Sequence, residues 1–86
     1  MNSSKFEESV RAYVADRRAW MIRVGQNAID FRTPEEALDW IARFDYANVI
    51  VINFAESVGM IDGPAAKGLR TETNNTRVRA ERMVSR

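Results

Sequence analysis

Two long stretches of the chain repeat apolar residues at helical spacing. After Ser4, the residues Phe6, Val10, Tyr13, Trp20, Met21, Val24, Ala28 and Phe31 fall within roughly 120° of a helix circumference, at about 100° per residue. Only Arg17 interrupts that stripe. After Thr33 a second series runs Ala37, Ile41, Phe44, Asn48, Ile52, Ala55 and Gly59 in steps of 3 or 4, flanked by Trp40, Val51 and Val58. Ser4-Lys5-Phe6-Glu7 and Thr33-Pro34-Glu35-Glu36 both fit the capping box, in which the hydroxyl accepts from the third helical amide. Pro34 strengthens the second box, because the first helical position needs no amide donor. Gly59 followed by Met60 fits a Schellman ending, with glycine in the left-handed region and the next apolar residue folded back on the last turn.

These signals predict an all-α protein with helices over about 4–31 and 34–58. Only Arg32-Thr33 separates them, so the expected arrangement is a long antiparallel helical hairpin. Two helices cannot enclose the wide face that Trp40, Phe44, Val51, Phe54 and Val58 present, and pairing with a second copy completes such a core. The expectation is an oligomeric helical bundle, a homodimer or higher, held by Trp20, Val24, Phe31, Ile41, Phe44, Asn48 and Ile52. Asn48 would fix register as a lone core asparagine does in coiled coils, and Arg17 would pair with Asp45 inside the assembly. Trp20 and Trp40 read as core residues or interface anchors.

An alternative α+β reading, in α-β-β-α-β order, rests on two runs. Trp20, Ile22 and Val24 alternate with Met21 and Arg23 before a Gly25-Gln26-Asn27 turn into Ile29–Arg32, which sets Arg23 across from Asp30. Val49–Ile52 is a β-branched run of the kind found in buried strands.

Charge divides the chain in two. The 86 residues carry 13 basic and 12 acidic side chains, a net charge of +1. Cut after Asp62, the first 62 residues hold 7 basic and 10 acidic groups and the last 24 hold 6 and 2, so a −3 body precedes a +4 tail. All eight aromatic residues lie in the body. Residues 1–62 therefore read as the oligomerisation body, and residues 63–86 as a basic, partly flexible segment too poor in apolar area to order itself. Its last ten residues, with four arginines, read as a short basic amphipathic helix capped near Asn75 or Thr76. Arginine's planar fork suits phosphate, so Lys67, Arg70, Thr71, Arg77, Arg79 and Arg82 are the candidate contacts to DNA or RNA. The stretch Phe54–Ala65 resembles the middle of a helix-turn-helix motif: Ala55 is a small residue in the first helix, glycine occupies the turn and Pro64 opens the second helix. That resemblance implies that Lys67, Arg70 and Thr71 face a major groove, although Gly68 stands where a bulky anchor belongs.

Several chemistries are missing. With no cysteine and no histidine, the chain has no disulfide, thiol nucleophile, imidazole base, or thiolate or imidazole metal site. It contains no Gly-rich phosphate loop, nucleophile elbow or metalloprotease motif. No enzymatic role, metal or cofactor is expected. No unbroken apolar run exceeds four residues, against about eighteen for a membrane span, and the N-terminus lacks a signal-peptide core, so the expected location is cytoplasmic. The function expected from the sequence is a small oligomeric binding protein that engages an acidic partner, nucleic acid first, through its basic C-terminal segment. The alternative is a protein–protein interaction module, an adaptor, inhibitor or accessory subunit, acting through its apolar helical faces.

Overall fold

The computed structural model describes residues 3–85, with side chains placed from Lys5 to Ser85. The chain forms three long helices, α1 (Ser3–Gln26), α2 (Pro34–Ser57) and α3 (Gly63–Val84), with a 3-10 turn at Ala28–Asp30. Among the described residues there is no strand, which removes the α+β alternative. Val49–Ile52 lies in the middle of α2, and Trp20–Val24 continues α1. Arg23 stacks over the Trp20 ring at 4.9 Å instead of meeting Asp30 across a hairpin.

Local signals explain most of the helix ends. Thr33 caps α2, its hydroxyl accepting from Glu36 N at 3.2 Å with Pro34 next in line. Val58 ends that helix and Gly59 turns left-handed at φ +78°. Met60 N then donates to Ala55 O at 2.8 Å and Gly59 N to Glu56 O at 3.1 Å, the two bonds of a Schellman motif. Asp62 caps α3 through Ala65 N at 2.8 Å, and Pro64 occupies its first turn. The Ser4 cap lies outside the described side chains. α1 stops at Gln26, short of the expected Phe31. Asn27 folds its amide back onto Arg23 O at 2.8 Å, a local bond that competes with helix continuation. Asp30 N and Phe31 N then close a tight turn on the carbonyls of Asn27 and Ala28.

The larger departure is α3. Residues expected as a basic, partly flexible segment form a helix of 22 residues that packs along both others, so the hairpin is completed within one chain into a three-helix bundle. Its buried stripe is Ala66, Leu69, Thr73, Ala80 and Val84, spaced 3, 4, 7 and 4 apart. The stripe is made mostly of small side chains, which carry little apolar area but let a helix approach closely. The ion pairs give the directions. Arg70 meets Glu56 and Arg77 meets Asp45, so α3 runs antiparallel to α2, whereas Arg18 meets Glu72 and α1 runs parallel to α3. The α2–α3 corner is thus an antiparallel hairpin, not the steep crossing of a helix-turn-helix, and that resemblance does not extend to the fold.

The core falls into two clusters. Val10, Val14, Ile52, Ala55, Ile61, Ala66 and Leu69 fill one end, and Met21, Val24, Ala37, Ile41, Ala80 and Val84 the other. Phe31 swings out of the α1–α2 turn to cover the second cluster. Near that end α1 and α3 almost touch: a Cβ built on Gly25 would lie 2.9 Å from Ala80 O and 3.1 Å from Met83 Cβ. Gly68, by contrast, has open space where its Cβ would stand.

Opposite signs follow for the same substitution. Gly25→Ala should lower the unfolding free energy by about 1–3 kcal/mol, because backbone must move. Gly68→Ala should raise it by about 0.8–1 kcal/mol, through helix propensity alone. Urea midpoints at constant m-value check both.

Candidate functional site

The basic groups assigned to phosphate contact do not form one surface. Arg70 donates to Asn53 Oδ1 at 3.1 Å and to Glu56 Oε1 at 3.0 Å, across the α2–α3 seam. Arg77 donates to both Glu81 oxygens at 3.0 and 3.1 Å and to Asn74 Oδ1 at 2.7 Å, and it lies 3.9 Å from Asp45. Each guanidinium is only about one-third exposed. Lys67, Thr71, Arg79 and Arg82 stay exposed, and Lys67, Arg79 and Arg82 make no ion pair among the described residues. They are spread over four turns of α3. Asn75 and Thr76, expected to open a short helix, lie inside α3, where the Thr76 hydroxyl donates to Glu72 O.

Between the two apolar clusters the bundle has a polar layer. Asn48 is fully buried; its amide donates to Val14 O at 3.1 Å and its Oδ1 has no partner. Thr73, equally buried, donates to Leu69 O. Arg17 does not pair with Asp45. It bonds to its neighbour Asp16 and lies over the rings of Tyr13 and Phe44, at 5.3 and 5.8 Å. Asp45 takes Arg77 instead, because α3 occupies the position a second chain was expected to fill. Burial raises the Asp45 carboxyl above its ordinary value of 3.8; Arg77 opposes the rise and Glu81 adds to it.

The remaining unusual feature is on the other side of α2. Trp20 of α1 stacks on Phe44 at 6.4 Å, and Trp40 tilts against the same ring at 6.1 Å. Arg23 covers Trp20 and Arg43, paired with Asp39 at 2.9 Å, covers Trp40. Toward the C-terminus of α2 the surface stays apolar, and among the described residues no arginine lies over a ring there: Tyr46 is 68% exposed, Ile50 48%, Phe54 62% and Val58 54%. From Tyr46 to Ala55 α2 contains no charged residue. A helix apolar on nearly every side belongs in an interior, yet α1 and α3 cover only part of this one.

The residues expected to hold an oligomer separate accordingly. Val24 of α1 and Ile41, Asn48 and Ile52 of α2 are buried inside the single chain. Phe31 is half-buried at the α1–α2 turn, while Trp20 and Phe44 lie along the open α1–α2 face. Tyr46, Ile50 and Phe54 were not singled out as a stripe, although their spacing of four and the uncharged run around them point to it. Elsewhere, an open hollow at the α1–α2 turn is lined by Gly25, Phe31, Arg32, Met83 and Val84 among others, and no carboxylate lines it. Among the described residues no cluster of three or more acids is arranged to hold a metal ion, and no helix is long and apolar enough to cross a membrane. The fold and surface define an up-down-up three-helix bundle with one uncovered aromatic face. No protein-family profile, curated protein or solved structure matches the chain.

Two measurements probe the polar layer. Asn48→Leu removes a buried carbonyl that has no partner, and Val14 O keeps its place in the α1 backbone ladder. The variant should be more stable by about 1 kcal/mol, read from urea unfolding. Asp45, with a folded value raised above 3.8, contributes stability that is complete below 3.8 and is lost as pH rises through the folded value. Asp45→Asn should therefore gain stability relative to the parent as pH is raised out of the acid range, measured as the difference between their unfolding free energies at each pH.

Proposed function

We propose that the protein is a small, non-enzymatic, cytoplasmic interaction module that binds another polypeptide through the aromatic face of α1 and α2. The observation that carries this reading is the uncharged stretch Tyr46–Ala55, which leaves large apolar side chains in water on the side of α2 away from α3. Exposed apolar patches of this kind mark interaction surfaces. Five aromatic side chains on the two helices are 40–68% exposed; at about 200 Å² each, they leave roughly 500 Å² of ring surface in water. Ile50 and Val58 extend it. Tyr13, Trp20 and Trp40 are held by stacking or by arginines lying over them, so these side chains have little freedom left to lose on binding.

A second reading keeps nucleic acid as the partner, through Lys67, Thr71, Arg79 and Arg82. Their exposure favours it. Against it, Arg70 and Arg77 are engaged by acids of α2 and α3, which leaves Lys67, Arg79 and Arg82 as the unpaired cations of α3 among the described residues, too sparse for the steep salt dependence of a phosphate-tracking surface.

A photoreactive benzoylphenylalanine introduced at Phe54, and separately at Arg82, distinguishes the two in cells. The probe at Phe54 should capture polypeptide at a yield insensitive to added salt, and the probe at Arg82 should capture far less. Capture of DNA or RNA at Arg82, with none of protein at Phe54, overturns the proposal.

A further inference from the structure

We infer that the partner seated on this face is a second copy of the chain, with the two α2 helices packed antiparallel about a two-fold axis at Ile50. The inference rests on the proposed reading of the face and adds its occupant and register. The outer stripe of α2 runs Arg43, Ala47, Ile50, Phe54 and Ser57, in steps of 4, 3, 4 and 3. That is the spacing of a helix–helix seam.

Reversed upon itself about Ile50, the stripe is self-complementary in size and in charge. Ile50 meets Ile50 of the other copy. Phe54, 62% exposed, lies over Ala47, the one alanine in the stripe, and Ala47 over Phe54 in return. Tyr46, four residues before Ile50, comes beside Phe54 as well. At each end Arg43 meets Ser57, so no like charges face one another anywhere along the seam. An isologous contact requires this kind of self-matching.

The alternative occupant, an acidic helix from another protein, fits less well. Arg43 is already paired with Asp39 at 2.9 Å, and Arg17 is held by Asp16. A carboxylate approaching Ile50 and Phe54 would meet no cation from the Tyr46–Ala55 section of α2 itself. Area points the same way. A stable interface removes about 800 Å² from each partner, and Tyr46, Ile50 and Phe54, 48–68% exposed, supply its apolar centre.

The absence of native cysteine makes the register directly readable. Light scattering of the purified protein should give twice 9.8 kDa at micromolar concentration, unchanged by salt. Ile50→Cys alone should cross-link to a dimer with a short bis-maleimide, whereas Tyr46→Cys alone should not. A mixture of Tyr46→Cys and Phe54→Cys chains, unfolded and refolded together, should cross-link. Ile50→Glu should give a monomer with unchanged far-ultraviolet circular dichroism. A wild-type monomer at every concentration overturns the inference, as does a dimer that cross-links through Lys67→Cys and not through Ile50→Cys. A monomer whose Phe54 probe still captures a different polypeptide in cells removes the second copy and leaves the proposed function standing.

Discussion

The close seating of α3 against α1 and α2 is the interaction on which the rest of the molecule depends. It is possible because the facing positions are small. Gly25 on α1 leaves room for the backbone of α3 at Ala80, and Ala66, Thr73 and Ala80 present short side chains to the groove of the hairpin. Apolar area alone would not predict this packing, since α3 brings only Leu69 and Val84 as sizeable buried residues. Close approach compensates, because dispersion contacts between well-packed atoms are individually weak and collectively large. With α3 in place, Ile41 and Ile52 become interior residues of one chain.

The same seating sets the electrostatics. α3 is basic and α2 carries Asp45 and Glu56 on the side it meets, so Arg70 and Arg77 are drawn into the seam. Half-exposed ion pairs contribute at most about 1 kcal/mol each. Their larger effect is on alignment: together they fix the register of α3 along α2, and Arg18 with Glu72 does the same along α1. The polar layer of Asn48 and Thr73 lies at the level of these contacts and divides the core in two. The unpartnered Oδ1 of Asn48 costs stability. A shifted bundle would bury it beside an apolar cluster with no Val14 carbonyl in reach.

The parts of the fold carried by large apolar residues and by caps were readable from the sequence. Thr33-Pro34, Gly59-Met60 and the two long stripes lead to α2, to most of α1 and to their antiparallel pairing. What could not be read was α3, because its pattern is written in alanine and threonine, residues whose burial leaves no hydropathy signal, and because Gly68 and the run Thr71–Thr76 argue against a helix by propensity. Tertiary packing overrides that propensity. Without a hydropathy signal for α3, the core residues Val24, Ile41, Asn48 and Ile52 read as an interface, and the arginines that tie helices together read as contacts to a ligand. The candidate face was legible only in part. Trp20, Trp40, Phe44, Phe54 and Val58 read as apolar positions in need of cover, and the bundle leaves them at its surface, whereas Tyr46 gives no such signal and Ile50 is hidden in a β-branched run that reads as a buried strand.

The strand-like pattern of this run has a physical basis which bears on function. A run such as Val49-Ile50-Val51-Ile52 looks like buried structure because it has no polar side to turn to water. In the bundle Ile52 is buried, Val49 and Val51 are half-buried and Ile50 remains outside. Among the described residues, no helix besides α1 and α3 packs on α2, and Ile50 stays uncovered. An outward face that is apolar and uncharged lowers the solubility of a lone chain and contributes nothing to its folding. Burial against another surface removes that liability, at about 25 cal/mol for each Å² covered. The apolar excess of the two long helices is therefore met in part within the molecule, where α3 covers one side of α2, and the proposed pairing would cover the side that α3 leaves open.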